Sequence, residues 1–272
     1  YLLDTDLPQN RSEDRAITDH LYGGDARYRL RQEAVLGIGG VRMLRALGHA
    51  HLRRFHMNEG HAALLVVELG YEEMRRRGLA TITDEVAQAV KPLCVFTTHT
   101  PVPAGHDQFP LRLLRDEITG YGDAFHERAA RFCLDHVCNM TYLALDNSVY
   151  VNGVAKRHGE ISRQMYSQYK IDSITNGVHA ATWTAPPIQA LFDREIPGWR
   201  GDNASLRYAL RIPRHEIWVA HQAAKAQLVR TVAERSGVRL EPGAFTIGFA
   251  RRATAYKRAD LLFDDLDRLL AL

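Results

Sequence analysis

Residues 93–103 read LCVFTTHTPVP, an apolar and β-branched run that leads into a proline-rich loop. A continuous run of this kind is typical of a strand buried on both faces, as in a parallel sheet. The prolines exclude a helix or a central strand after residue 100, because proline lacks the amide hydrogen that either structure needs. Loops at the carboxyl ends of parallel strands commonly carry the chemistry of α/β proteins. His99 therefore lies where a functional side chain is expected, although a structural histidine fits the spacing equally well.

Strand-like and helix-like patterns alternate along the rest of the chain. The predicted strands lie at 52–57, 93–98, 148–151, 173–175 and 245–250. The predicted helices lie at 25–47, 62–77, 111–145 and 213–236, with Thr83 as the cap of a further helix and Asn152 as the cap of one that runs towards Met165. Strands that alternate with helices indicate a parallel sheet with helical crossovers, so we predict an α/β fold.

Breakers of regular structure cluster in the middle of the chain, at 186–187, 197–198 and 201–203. They indicate a domain boundary near 175–200. Residues 1–4 have the pattern of a strand, and 261–270 have that of a helix without a stop signal. We therefore expect the chain to be a piece of a longer protein.

The composition excludes several classes of partner. Of the 272 residues, 46% are hydrophobic and 25% are charged, and 35 Lys and Arg against 32 Asp and Glu leave a net charge of +3. That bias is too weak to indicate nucleic acid or an anionic membrane surface. No stretch approaches the ~18–20 apolar residues that cross a bilayer. We expect a soluble globular protein with neither nucleic acid nor membrane as a partner.

The three cysteines are Cys94, Cys133 and Cys138. The last two are five residues apart, which is not the C-x2-C spacing of a structural zinc site or a redox motif. Free cysteines pack like small hydrophobic residues, and free thiols persist in reducing compartments. We predict three buried free thiols and a cytoplasmic location.

Two motifs resemble ligand sites but depart from them. Residues 37–40 read GIGG, which is not the G-x-G-x-x-G loop of dinucleotide-binding proteins and lies inside a predicted helix, so close helix packing is favoured. Residues 56–61 read HMNEGH, whose histidines are five positions apart and would point about 140° away from each other on a helix. We therefore predict no metal site, and expect a turn that places Glu59 and His61 near a cleft.

A basic cluster follows the predicted strand 245–250. It consists of Arg251, Arg252, Tyr256, Lys257 and Arg258. Cations at the carboxyl edge of a sheet, leading into a helix, suit an anion such as phosphate. A solvated basic face is the alternative.

Seven segments together resemble the α-glucan phosphorylases of glycogen, starch and maltodextrin, most of all the short bacterial type. In the family's order they are 1–6, 21–33, 56–61, 96–103, 151–155, 175–183 and 248–258. The resemblance implies the GT-B glycosyltransferase architecture, in which two Rossmann-like domains with parallel sheets face a cleft. Residues 1–176 would be the C-terminal portion of its N-terminal domain. Residues 177–272 would begin the C-terminal domain, which binds cofactor and phosphate.

The resemblance also implies an activity. These enzymes cleave the non-reducing ends of α-1,4-glucans with inorganic phosphate and release glucose 1-phosphate with retained configuration. Their cofactor is pyridoxal 5'-phosphate, whose phosphate group acts as the proton shuttle. Its anchoring lysine belongs to a later motif than any in this chain, so the 272 residues alone are expected to be inactive. The expected ligands are an α-1,4-glucan and inorganic phosphate, and a homo-oligomer stays open for the full-length protein.

Matching the family's motifs position by position implies roles for individual residues. His99, Asn176 and Tyr256 would contact the glucosyl unit, and His99 would also stabilise oxocarbenium-like charge. Arg252 and Lys257 would hold the attacking phosphate, which makes them, with His99, the expected catalytic residues.

Arg251 and Trp183 would lie beside the cofactor. Residues 253–255 depart from the family's pattern, in which a Phe follows the arginine. Two alternatives stay open: a glucan synthase that uses a nucleotide sugar, and a non-catalytic glucan-binding module.

Overall fold

The structure is a computed structural model that describes residues 1–21, 24–100, 106–124, 131–251 and 257–271. It divides into two compact units, Tyr1–Asn176 and Gly177–Leu272, which we call unit 1 and unit 2. Within the described ranges, no helix is long and apolar enough to cross a membrane. The same residues contain no group of three or more His, Cys, Asp or Glu side chains that could hold a metal ion.

Unit 1 contains a parallel sheet. The strands of unit 1 are β1 (Phe55–Asn58), β2 (Cys94–Thr98), β3 (Gln108–Pro110), β4 (Cys133–Leu134), β5 (Val137–Asn139), β6 (Tyr150–Gly153) and β7 (Asp172–Ser173). Four of them pair in the order β1-β2-β6-β7, all parallel. β2 has a neighbour on each side and is almost wholly buried, which accounts for its run of apolar residues. The predicted α/β fold with a parallel sheet is confirmed.

The helices of unit 1 surround this sheet. They are α1 (Ser12–Arg15), α2 (Ala26–Ala34), α3 (Gly40–Ala46), α4 (Leu65–Arg76), α5 (Asp84–Val90), α6 (Leu111–Glu117), α7 (Met140–Asp146) and α8 (Lys156–Met165). A π-helical turn, Val35–Gly39, joins α2 to α3, so the predicted helix 25–47 exists with an interruption. Thr83 caps α5 as predicted, because its hydroxyl accepts the backbone N–H of Val86 over 3.4 Å.

The core of unit 1 lies between the sheet and α4. Phe96 on β2, Met57 on β1 and Leu64 before α4 are all 0% exposed. The π-helical turn packs against this region, and a Cβ atom added to Gly37 would lie 2.7 Å from the backbone nitrogen of Leu65. The prediction that the GIGG segment serves close helix packing is confirmed.

Residues 111–145 differ from the helical region that we predicted. α6 ends at Glu117, and β4 and β5 form a hairpin before α7 begins. The turn residues of the hairpin, Asp135 and His136, have positive φ angles of 49° and 63°. Such a turn reverses the chain within two residues, which apolar periodicity alone does not show.

The hairpin also corrects the prediction for the cysteines. Cys133 lies opposite Cys138 in the β4–β5 register, and the two form a disulfide. Cys94 is buried and free as predicted. The prediction of three free thiols is therefore wrong for this pair, and the cytoplasmic interpretation loses two of the three thiols on which it rested.

Two smaller predictions in unit 1 are wrong. Asn152 lies within β6 and accepts the Thr97 hydroxyl hydrogen over 3.0 Å, whereas α8 begins after Ala155 without a side-chain cap. Residues 1–4 form no strand, and Tyr1 is 84% exposed. Asn152 is held by pairing within the sheet, whereas residues 1–4 pair with no strand of the described chain.

Unit 2 is mainly helical in its described residues. Its helices are α9 (Ala180–Trp183), α10 (Pro186–Glu195), α11 (Arg214–Ser236) and α12 (Leu266–Leu270). α11 agrees with the helix predicted at 213–236. A small core holds the unit together, formed by the buried residues Leu191, Ile196, Trp199, Ile212 and Ala220.

The predicted strand at 245–250 is absent. These residues have no strand pairing, and Phe245, Ile247 and Phe249 are 92%, 58% and 55% exposed. A buried strand needs neighbours on its edges and cover on its faces, and the described part of unit 2 contains no other strand. The apolar pattern is present without the surroundings that would bury it.

Candidate functional site

The carboxyl ends of the parallel strands of unit 1 bring polar side chains to one edge of the sheet. His99 is the first residue after β2, and it is exposed. The surrounding protein and the nearby His56 lower the pKa of the His99 imidazole below its ordinary value. The ring is therefore neutral at pH 7 and can both donate and accept hydrogen bonds.

Asn176 reaches the same edge from β7. Its backbone N–H donates to the carbonyl oxygen of Val154, which follows β6, over 3.0 Å, and the residue is exposed. Ile174 makes the preceding bond to Gly153 over 2.9 Å. These bonds continue the β6–β7 pairing beyond the strands, so Asn176, like His99, lies at the carboxyl edge of the parallel sheet.

Glu59 follows β1 and is the most constrained residue at this edge. Its backbone has φ 72° and ψ 170°, and its N–H donates to the carbonyl of Thr97 over 2.9 Å. The buried carboxylate accepts the backbone N–H of His99 over 2.5 Å and the Thr98 hydroxyl over 3.3 Å. Burial raises the pKa of Glu59 to about 7, although these hydrogen bonds act in the opposite direction.

His106 adjoins Glu59 in a buried polar network. Its Nδ1 lies 4.0 Å from a carboxylate oxygen of Glu59 and 2.9 Å from the hydroxyl of Thr141, and its Nε2 lies 3.1 Å from the hydroxyl of Tyr166. Burial lowers the pKa of His106 and raises that of Tyr166. Both side chains are therefore neutral near pH 7.

A second network links β1, β2 and β6. The Thr97 hydroxyl donates to the side-chain oxygen of Asn152 over 3.0 Å and lies 2.7 Å from Nε2 of His56. Because the hydroxyl hydrogen is used towards Asn152, the hydroxyl oxygen accepts from His56, which assigns the hydrogen of that ring to Nε2. Three neighbouring strands are thus joined by side chains close to their carboxyl ends.

His158 on α8 lies close to the same strands. A Cβ atom added to Gly153 would come within 2.5 Å of the His158 Nδ1, so only glycine leaves room for the ring. Nδ1 lies 3.4 Å from the backbone nitrogen of Val154, whereas the buried Nε2 has no hydrogen-bond partner among the residues that the structure describes. Sequence analysis missed His158, because a histidine in the first turn of a predicted helix carries no distinguishing signal.

A charged cluster joins α2 to the segment before β3. Nε of Arg29 lies 3.0 Å from Glu33, and its Nη2 lies 3.0 Å from Asp107. Glu33 is 1% exposed, and burial together with the charge of Asp107 raises its pKa to about 9. Arg29, Glu33 and His61 line a cavity of about 480 Å³, and burial with the charge of Arg29 lowers the pKa of His61. The expectation that His61 lies near a cleft is consistent with this cavity.

The remaining predicted site residues belong to unit 2 or lie outside the description. Trp183 ends α9 and is 80% exposed, Arg251 is exposed, and Lys257 is partly buried. Arg252 and Tyr256 lie outside the described residues. Trp183 and Arg251 are thus both exposed, and the described residues show no formed binding site for pyridoxal phosphate.

The geometry of unit 1 defines an α/β protein whose polar site lies at the carboxyl edge of a parallel sheet, where ligands of this fold class commonly bind. No protein-family model matches the chain. The maltodextrin phosphorylase of Thermococcus litoralis is 38% identical to it over an alignment 309 positions long, which covers 99% of this chain and 35% of that relative.

Two glycogen phosphorylases are similar over nearly the same span. That of Mycobacterium tuberculosis is 36% identical over 98% of this chain, and that of Aquifex aeolicus is 31% identical over 99%. The chain covers 36% and 43% of these relatives. The chain is therefore similar to glycogen and maltodextrin phosphorylases over nearly its whole length, as its motifs indicated, and it spans less than half the length of these relatives.

Proposed function

We propose that this chain forms part of an α-1,4-glucan phosphorylase. In the reaction a phosphate oxygen bonds to the anomeric carbon of the terminal glucosyl unit, and the bond from that carbon to the glycosidic oxygen breaks. The shortened glucan leaves with a proton on its new 4-hydroxyl group, and glucose 1-phosphate is released. The observation that carries the proposal is that relatives named as phosphorylases align with 98–99% of the chain.

Unit 1 would supply the glucan side of the site. We assign contact with the terminal glucosyl unit to His99 and Asn176, the exposed polar residues at the carboxyl edge of the sheet. Cleavage of a glycosidic bond develops positive charge on the sugar ring. The lowered pKa of His99 keeps its imidazole neutral, so the ring can bind hydroxyl groups without repelling that charge.

Unit 2 would supply the phosphate side. We assign the attacking phosphate to Arg252 and Lys257, glucosyl contact to Tyr256, and the neighbourhood of the cofactor to Arg251 and Trp183. Pyridoxal phosphate is the cofactor that the family implies. Cations suit this role because the attacking phosphate is an anion, and preorganised charge is a large catalytic term.

The proposal is tested on the longest natural polypeptide that contains this chain, purified from its source. We expect it to release glucose 1-phosphate from maltoheptaose only when orthophosphate is present. His99→Ala should reduce the rate by about 100-fold, as expected when a group that contacts the transition state is lost. His215→Ala, on an exposed residue of α11, is the matched control and should retain the wild-type rate.

Three results would contradict the proposal. Release of free glucose without a phosphate requirement would indicate a hydrolase. Extension of the glucan from a nucleotide-linked glucose would indicate a synthase of the same architecture. Binding of maltoheptaose without turnover would indicate a glucan-binding module. The 272-residue chain alone should release no glucose 1-phosphate in the same assay.

A further inference from the structure

We propose that Glu59 is a positioning residue for His99: its carboxylate fixes the backbone of the turn after β2 and so sets the direction in which the imidazole leaves the sheet. The inference rests on the proposed function, because it concerns how the glucan-contacting residue is held. Its structural part can be tested without any enzymatic activity.

The contacts of Glu59 clamp the ends of two strands. One carboxylate oxygen accepts the His99 N–H over 2.5 Å, and the other accepts the Thr98 hydroxyl over 3.3 Å. The N–H of Glu59 in turn donates to the Thr97 carbonyl over 2.9 Å. Three consecutive residues of the β2 end are therefore bound to one residue after β1. Hydrogen bonds to an ionised carboxylate are stronger than those between neutral groups, so the turn should be held most firmly above the Glu59 pKa of about 7.

The backbone of Glu59 shows that the side chain is held in place at a cost. A φ of 72° with a ψ of 170° belongs to a region that glycine adopts far more readily than other residues. The next residue is closely packed as well, because a Cβ atom added to Gly60 would lie 3.0 Å from the Thr141 hydroxyl oxygen. Glycine would fit the backbone of position 59 more easily, so the feature that glutamate adds is the buried carboxylate.

The polar side chains next to Glu59 have partners of their own. The neighbouring Asp107 is engaged by Arg29 over 3.0 Å, and His106 is engaged by Thr141 and Tyr166. His106, Asp107 and Tyr166 are also the titratable groups that face Glu59, together with His99 itself. Loss of the carboxylate would leave the His99 N–H without its partner and release the turn.

The direct test uses the 272-residue chain labelled with 15N-histidine. The backbone amide signal of His99, identified by its loss in His99→Ala, should lie downfield and shift with a midpoint near the Glu59 pKa of about 7. In Glu59→Gln this pH-dependent shift of the His99 amide signal should disappear. In Glu59→Asp, which keeps the charge on a shorter side chain, part of the shift should return. An unchanged His99 amide signal in Glu59→Gln would overturn the proposal.

A matched control separates positioning from general loss of structure. Glu68→Gln removes another buried carboxylate of unit 1, one that binds Arg42 and Tyr121 and makes no contact with the β2 end. It should leave the His99 amide unchanged. If Glu68→Gln shifted that amide as strongly as Glu59→Gln does, the effect would be general and the proposal would fail.

Ligand binding connects the positioning role to the proposed function. Maltoheptaose should perturb the His99 amide in the wild-type chain, and its affinity should fall about tenfold in Glu59→Gln, because small displacements of a binding group are costly, and recover in part in Glu59→Asp. If the wild-type chain binds no maltoheptaose, the glucan site in unit 1 is wrong while the amide titration still decides the role of Glu59. Equal affinity in wild type and Glu59→Gln would contradict the positioning role.

Discussion

β2 of unit 1 and residues 245–250 of unit 2 have the same kind of sequence but opposite surroundings. Phe96 in β2 is 0% exposed, whereas Phe245 is 92% exposed. β2 lies between β1 and β6, and the described part of unit 2 offers no strand to pair with 245–250. An apolar strand pattern therefore shows that a segment is suited to burial. Whether it is buried depends on neighbouring strands that other segments must provide.

The same contrast separates the functional residues that we assign in unit 1 from those that we assign in unit 2. In unit 1 both turns are held by hydrogen bonds: the His99 N–H donates to the Glu59 carboxylate, and the Asn176 N–H donates to the Val154 carbonyl, which continues the β6–β7 pairing. In unit 2 Arg251 and Trp183 are exposed. All of the buried polar and charged residues of the described chain belong to unit 1. Only a completed core can hold polar groups in fixed positions away from water.

The largest expected effect comes from a matched pair of phenylalanines. Phe96→Ala should lower the free energy of unfolding of unit 1 by about 3–5 kcal/mol, because it opens a cavity in a packed core. Phe245→Ala should change stability by no more than about 0.5 kcal/mol, since that side chain is exposed. Urea unfolding followed by circular dichroism measures both. Similar losses in the two variants would mean that 245–250 is buried after all.

A pair of glycines tests the packing of the π-helical turn. Gly37→Ala should cost roughly 1–3 kcal/mol, because its Cβ would meet the backbone of Leu64 and Leu65. At Gly39 the nearest atom to an added Cβ is 3.9 Å away, so Gly39→Ala should be neutral or stabilising by about 0.5–1 kcal/mol. Thermal unfolding compares the two. Equal effects would contradict the close approach of this turn to α4.

The buried acid of unit 1 predicts a pH dependence. The folded pKa of Glu33 is raised to about 9 from 4.5, so between these values the folded state binds the extra proton and stability falls as pH rises. Glu33→Gln mimics the protonated form. Its free energy of unfolding should therefore rise relative to that of the wild type by about 1 kcal/mol per pH unit between these pH values. Glu160→Gln, on an exposed glutamate of α8, is the control and should follow the wild-type curve. A constant difference between Glu33→Gln and wild type from pH 5 to pH 8 would show that Glu33 is not buried as described.

Several features that depend on local sequence pattern were predicted correctly. Sequence analysis predicted the parallel sheet, helix 213–236, the cap at Thr83 and the place of His99 at a strand end, because apolar spacing and prolines report such features directly. It missed the roles of Arg29, Asp107 and His158, which become apparent only when separate segments meet. The i,i+4 spacing of Arg29 and Glu33 inside an apolar helical pattern was an available signal for a contact between these two side chains.

The errors share a physical origin. The disulfide depends on a turn with two positive φ angles at Asp135 and His136, and neither residue type demands that conformation. Asn152 suits a helix cap and a strand end alike, and its bond to Thr97 decided between them. Residues 245–250 required partners that their own sequence does not specify.

Hydrogen exchange of the 272-residue chain, resolved by peptide and measured with and without maltoheptaose, tests the central contrast most directly. The peptides over 55–60 and 94–100 should exchange slowly and be slowed further by the glucan. The peptide over 245–251 should exchange within seconds and be unaffected by it. Equal protection of 245–251 and 94–98, or a glucan effect confined to 245–251, would contradict the account.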